Sequence, residues 1–232
     1  MSECAVFKRL ICCAVLFVST GPLQAASAAQ WVEGTNYFLV QPPQPTTTPG
    51  KVEVLDVFSY GCPACNAFEP TFDKIKKALP DYAQVAYLPA AFNPQEDWVV
   101  LQRAFLAAQI LGLVDKTHDA MYDAIWKNGS LATTDLVTHR LLPKAQQPTI
   151  EDVAKFYAHF GVKPEDFISV ANSFTVESKM KWSDSQLMTY GVTSTPTIII
   201  NGKYRVTPAS AGGYEQTIDL VQYLVAKEKN DK

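Results

Sequence analysis

The chain has 232 residues, 47% hydrophobic and 19% charged, a globular composition sufficient for one large domain or a domain with an insertion. A net charge of −3 without any basic stripe excludes nucleic acid as an expected partner. Five cysteines are present, but Cys4, Cys12 and Cys13 fall in a segment that is not expected to remain.

That segment is residues 1–28, read as a cleaved export signal. Lys8 and Arg9 precede the apolar run Leu10 to Val18, Gly21-Pro22 breaks it, and Ala26-Ser27-Ala28 supplies a small-x-small end. The run is too short to stay as a membrane anchor. Cleavage is expected after Ala28, with Ala29 as the other choice. Cys12 and Cys13 lie inside the run with no small residue pair before them, which argues against a lipid-modified cysteine. Only Cys62 and Cys65 then remain. One close-spaced pair is not a disulfide-stapled scaffold, and so short a bridge restrains the unfolded chain little.

In the mature chain, Tyr37 to Val40 reads as a short strand and the proline-rich stretch Gln41 to Gly50 as a stiff connection. Val52 to Phe58 is rich in β-branched residues and reads as a buried strand. A helix is predicted from about Cys62 to Leu79, because Phe68, Phe72, Ile75 and Leu79 recur at helical steps. Val85 to Leu88 is a further strand, so the order β, β, α, β fits a parallel pair with a crossover helix. Consecutive helices follow. One runs from Trp98 to Leu111, a second is capped by Asp115, and a third runs from Thr133 through Leu142. A capping box at Thr149 to Asp152 opens a fourth, Lys163-Pro164 a fifth, and a sixth covers about Val176 to Tyr190. Trp98, Phe105, Met121, Trp126, Trp182 and Met188 are assigned to the core of this all-α segment. Strand character returns at Thr195 to Ile200, Asn201-Gly202 marks a hairpin to Lys203–Val206, and Glu215 to Lys227 is a closing amphipathic helix.

Chemistry concentrates at Cys62-Pro63-Ala64-Cys65. A cysteine where a helix begins meets unsatisfied N–H groups and the positive end of the helix dipole, both of which stabilise a thiolate. Pro63 suits the first helical turn. The expected roles differ: Cys62, at an exposed position, exchanges with substrate, and Cys65, one turn in and more buried, resolves the mixed disulfide. Half of a zinc site is the alternative, but His118, His139 and His159 all lie in the distant helical segment. These histidines are read as structural or solvent-facing. Asp56, inside an apolar strand on the same face as Val54 and Phe58, reads as a proton acceptor and donor for Cys65; an edge acid paired with lysine is the alternative. Pro196 belongs at the start of its strand, and an incoming extended chain could pair with the backbone of Thr195 there.

As an ordered set, these features resemble the DsbA-type thiol:disulfide oxidoreductases. The likeness is carried by Val54-Leu55-Asp56-Val57-Phe58-Ser59-Tyr60, the Cys62–Cys65 motif, the helical insertion, and Gly191 to Pro196 leading to Asn201-Gly202-Lys203-Tyr204. The resemblance implies an α/β thioredoxin fold with an inserted all-helical subdomain, 29–96 and 191–232 forming the thioredoxin-like part and 97–190 the insertion. It implies a periplasmic enzyme that introduces disulfide bonds into exported proteins and is reoxidised by a DsbB-like quinone-linked membrane partner. Asp56 stands where the family has its buried acid, and Pro196 where it has a cis-proline. Thr195, Pro196, Pro63 and Ala64 would contact substrate. No metal or cofactor is expected, and a monomer suffices. Ala64 replaces the family's usual histidine, and Thr195 its common valine. Loss of an imidazolium beside Cys62 predicts a weaker oxidant than the histidine-bearing members. The alternatives are a reductase or isomerase working in the opposite direction, or a periplasmic peptide-binding module with idle cysteines. A glutathione-dependent transferase on the same topology fits less well, since those enzymes need no second cysteine.

Overall fold

The computed structural model describes residues 31–230. The export signal read over residues 1–28 lies outside the described residues. The strands are β1 (Phe38–Leu39), β2 (Val52–Phe58), β3 (Ala83–Pro89), β4 (Thr197–Ile200) and β5 (Tyr204–Val206). They form one sheet in the order β1-β5-β4-β2-β3, with β2 and β3 parallel and the other neighbours antiparallel. The helices are α1 (Pro63–Ala78), α2 (Trp98–Ile110), α3 (Val114–Trp126), α4 (Ile150–Ala158), α5 (Pro164–Ala171), α6 (Phe174–Thr189), α7 (Pro208–Ala211) and α8 (Tyr214–Asn230).

Every residue of β2 is buried, as expected for a strand paired on both sides and covered on both faces. Alternation divides it. Val52 and Val54 pack with Phe68, Phe72 and Ile75 of α1 and Leu220 and Leu224 of α8. Leu55 and Val57 face the other way, toward Leu88, Leu187 and Tyr190. Phe58, at the end of the strand, joins a third cluster with Leu101 and Phe105 of α2 and Met121 and Ile125 of α3. The tip of β2 therefore lies where sheet and helical segment meet, and the next residues are the cysteine motif.

The turn between β4 and β5 uses Asn201 and Gly202, both at positive φ, the conformation a two-residue hairpin needs. A Cβ on Gly202 would overlap the Gln44 carbonyl, so glycine is required there by space as well as by dihedral. The capping box at Thr149 and Asp152 is present.

Several expectations are corrected. No helix forms between Thr133 and Leu142. Asp135 instead accepts the N–H groups of Val137 and Thr138, Thr134 bridges to Leu141, and His139 has φ +55°. A short acid bonded to its own local backbone competes with the helix, and exposed Val137 offers no apolar face to offset this. Asp115 caps nothing; it sits inside the first turn of α3, whose N-cap is Leu113. The first strand contracts to two residues, and the single turn α7 was not foreseen. Trp182 and Met188 are 46% and 77% exposed and do not belong to the core, whereas Trp98, Phe105 and Met121 do. Among the described residues, no helix is long and apolar enough to cross a membrane.

Candidate functional site

Cys62 is the N-cap residue of α1, with extended dihedrals and no side-chain cap on the helix. The N–H groups of the first turn are thus left to its sulfur. Hydrogen bonding from the Cys65 thiol, aided by Thr195 and by the N–H groups of Cys65 and Ala64, lowers the Cys62 thiol to about 6 against the cost of burial. Cys65 moves the opposite way. Burial comes first, then the hydrogen bond to Cys62 and its charge, which hold the Cys65 thiol well above its ordinary value. Both thiols are free. Cys62 is more enclosed than the sequence suggests, at 5% exposure, while Pro63 and Ala64 are open to solvent.

Distant segments produce this enclosure. The Cys62 Sγ lies 3.4 Å from the Thr195 carbonyl oxygen, 133 residues away in the chain. The Thr195–Pro196 peptide is cis, and Thr197 Oγ1 donates to the Ser194 carbonyl at 2.7 Å to close the preceding turn. On the other side, the Trp126 indole donates to the Tyr60 carbonyl at 2.8 Å, and Trp98 covers Gly61. A Cβ on Gly61 would lie 2.5 Å from Trp98 Nε1, so only glycine permits this cover. The structure therefore brings Cys62, Pro63, Ala64, Cys65, Thr195 and Pro196 together.

Asp56 lies behind Cys65. It is 3% exposed, and its Oδ1 has no hydrogen-bond partner among the described residues. Burial holds its carboxyl well above the usual range; the charges of Glu69 and Cys62 reinforce this and that of Lys76 opposes it. An acid whose hold on its proton is strengthened by burial can pass it to a departing Cys65 thiolate and take it back. The stability consequence has a definite sign. The folded state binds the proton more tightly than the unfolded chain, so stability is fully present below pH ~4 and declines as pH rises through the folded value. Asp56→Asn is expected to melt higher than the parent near neutral pH. Its advantage should grow by up to about 1.4 kcal/mol per pH unit above pH ~4, read from urea titrations across a pH series. An advantage that shrinks with rising pH contradicts the assignment.

Sequence reasoning missed the companions of Asp56. Glu69 and Lys76 follow Cys65 on α1 at steps of four and seven, on the same face as Phe72, so the polar positions within the apolar stripe carried the signal. Lys76 Nζ lies 2.6 Å from Asp73 and 3.5 Å from Glu69. His118, read from the sequence as structural or solvent-facing, is buried with Nε2 3.7 Å from Glu69 and Nδ1 hydrogen-bonded to the Tyr60 hydroxyl at 2.9 Å. Its ring packs against Phe58, Tyr87 and Tyr122. Of the two expectations, core rather than solvent-facing holds for it, and it anchors Tyr60, two residues before Cys62, from within the core.

A buried dithiol with opposed ionisation, at the start of a helix and opposite a cis-proline turn, can exchange disulfides; among the described residues no third ligating side chain converges on it to hold a metal. Comparison with known proteins agrees. The thioredoxin family model matches residues 48–220. The chain is 36% identical to the thiol:disulfide interchange protein DsbA of Pseudomonas aeruginosa, over 96% of this chain and 97% of that protein. It is 31% identical to that of Azotobacter vinelandii, over 93% and 92%. Among solved structures, P. aeruginosa DsbA superposes with a TM-score of 0.72 at 36% identity, over 87% of this chain and 96% of that one. The DsbA of Xylella fastidiosa does so with 0.74 at 29%, over 86% and 98%. Sulfur chemistry, topology and full-length similarity coincide, and the chain belongs to the DsbA family of thiol:disulfide interchange proteins.

Proposed function

We propose that this thiol:disulfide oxidoreductase works in the periplasm as an electron acceptor from exported polypeptides, with Cys62 as the exchanging sulfur. A client thiolate attacks Cys62 Sγ of the oxidised pair, the Cys62–Cys65 bond breaks, and Cys65 leaves with a proton supplied through Asp56. A second client thiolate then attacks the client sulfur of the mixed disulfide and expels Cys62 as a thiolate. The client loses two electrons and gains a disulfide; the enzyme ends as the dithiol. The observation that carries this direction is the opposed ionisation of the two sulfurs. An anion content at neutral pH makes Cys62 the better leaving group and stabilises the reduced enzyme. Thr195 and Pro196, facing Cys62, and exposed Pro63 and Ala64 are the surface that an extended client would meet. Return to the oxidised form is assigned to a DsbB-like quinone-linked membrane protein, on the strength of family membership.

The test is stoichiometric refolding of a reduced, unfolded disulfide protein by the oxidised enzyme, with the reduction potential titrated against glutathione. Efficient disulfide formation is expected, at a potential less oxidising than that of relatives with histidine in place of Ala64. Thr195→Val removes a donor from the Cys62 thiolate, so the pair should become more reducing by roughly 15–30 mV. An enzyme that reduces client disulfides but forms none would replace this reading with the reductase one.

A further inference from the structure

Strand β3 is an edge: among the described residues it pairs with β2 alone. The Val52 N–H donates to the Tyr82 carbonyl at 2.8 Å, and the Ala90 N–H to the Phe58 carbonyl at 2.7 Å. With the residue-for-residue parallel register between them, the even-numbered residues of β3 turn their backbone groups toward β2. Val85, Tyr87 and Pro89 turn theirs away. At Pro89 the helical segment covers the edge, since its carbonyl accepts from Gln102 Nε2 at 3.0 Å and Ser183 Oγ at 2.8 Å. At Val85 and Tyr87 it does not.

Those two positions open into a groove of about 810 Å³ between the strand, the end of α2, α6 and the loop at Thr47 and Thr48. Ile110 and Trp182 form apolar walls, 42% and 46% exposed. Thr48 is 6% exposed, and its hydroxyl has no partner among the described residues. Glu53 and Asp115 against Lys179 give the lining an excess of negative charge. The groove is built on the sheet face that carries Leu55, whereas Asp56 and Cys65 lie on the opposite face.

We propose that this groove is a second client site, in which an extended segment of an unfolded polypeptide adds to β3 as a sixth strand. It rests on the reading that the protein takes unfolded polypeptides, and it adds a place where they are held away from Cys62. A strand's N–H and C=O groups, repeating every second residue at about 6.6 Å, are matched by another extended backbone. The walls suit one apolar side chain, and the charge of the lining suits a basic residue beside it.

The probe is bovine pancreatic ribonuclease A, reduced and carbamidomethylated so that it stays unfolded and offers no thiol. Binding should shift and slow the hydrogen exchange of the Val85 and Tyr87 amides, with both cysteines present or both replaced by alanine. Val85→Pro removes one outward N–H without breaking the ladder to β2 and should weaken binding at least about fivefold. Trp182→Ala, at an exposed site that leaves folding intact, should weaken it about threefold. Both variants should oxidise a short dithiol peptide at the parent rate. Shifts confined to amides around Cys62 and Thr195, or unchanged affinity in both variants, overturn the site while leaving the redox reading standing. Self-association of the free protein that Val85→Pro abolishes would assign the edge to a second copy and equally overturn it. Failure of the parent to oxidise the dithiol peptide would instead overturn the redox reading.

Discussion

Replacing Cys62 with serine is expected to lower both oxidative refolding and insulin reduction by at least about a thousandfold, to the level set by small thiols in solution. Cys65 cannot take over. It is 2% exposed, and burial with the adjoining Cys62 and Asp56 holds its thiol well above its ordinary value, so little thiolate exists at neutral pH to attack or leave. The reciprocal variant should behave differently. With Cys65→Ser the Cys62 sulfur remains activated but has no neighbour to release it, so mixed disulfides with client proteins should accumulate, visible on non-reducing gels and lost on adding dithiothreitol. Retained activity in Cys62→Ser, or mixed disulfides accumulating in that variant instead, rejects the assignment of roles.

Phe58→Ala is expected to cost about 3–5 kcal/mol of stability, a melting-temperature loss of roughly 10 °C in a domain of this size. The side chain is 1% exposed and packs edge-on against Tyr60, Tyr87, Phe105 and His118, with centroid distances of 5.0–5.9 Å. No other residue of β2 belongs to the cluster shared with α2 and α3. Loss of the ring leaves a void where the strand tip, the histidine and the helices meet, and its neighbours are held too firmly by β2 and α1 to close it. Denaturant titration with circular dichroism gives the loss; a cost below ~1 kcal/mol would show that this junction contributes little.

Much of this was legible in the chain. Val52 to Phe58 announced a buried strand through Val52, Val54, Val57 and Phe58, despite the acids between them, and a helix period began immediately after Cys62. Thr149-x-x-Asp152 and Asn201-Gly202 carry their local geometry within four residues or fewer. What could not be read depends on segments far apart. The enclosure of Cys62 is made by Thr195 and supported by Trp98 over Gly61, and neither approach leaves a mark near the motif. His118 looked isolated because Glu69 and Tyr60 reach it from other elements. The segment from Thr133 to Leu142 has a helical pattern of apolar residues, but Asp135 bonds its own backbone and wins locally. Trp182 was placed in the core by its period, yet it stands at the groove beside β3, a position decided by how α6 packs rather than by spacing.

The central claim is that the start of α1 holds Cys62 as an anion at neutral pH, and iodoacetamide alkylation of the reduced protein from pH 4 to pH 10 tests it most directly. The account predicts that the Cys62 rate rises to half its plateau near pH 6 and is flat by pH 8. A midpoint near 8.5 to 9, that of an ordinary cysteine, would contradict it.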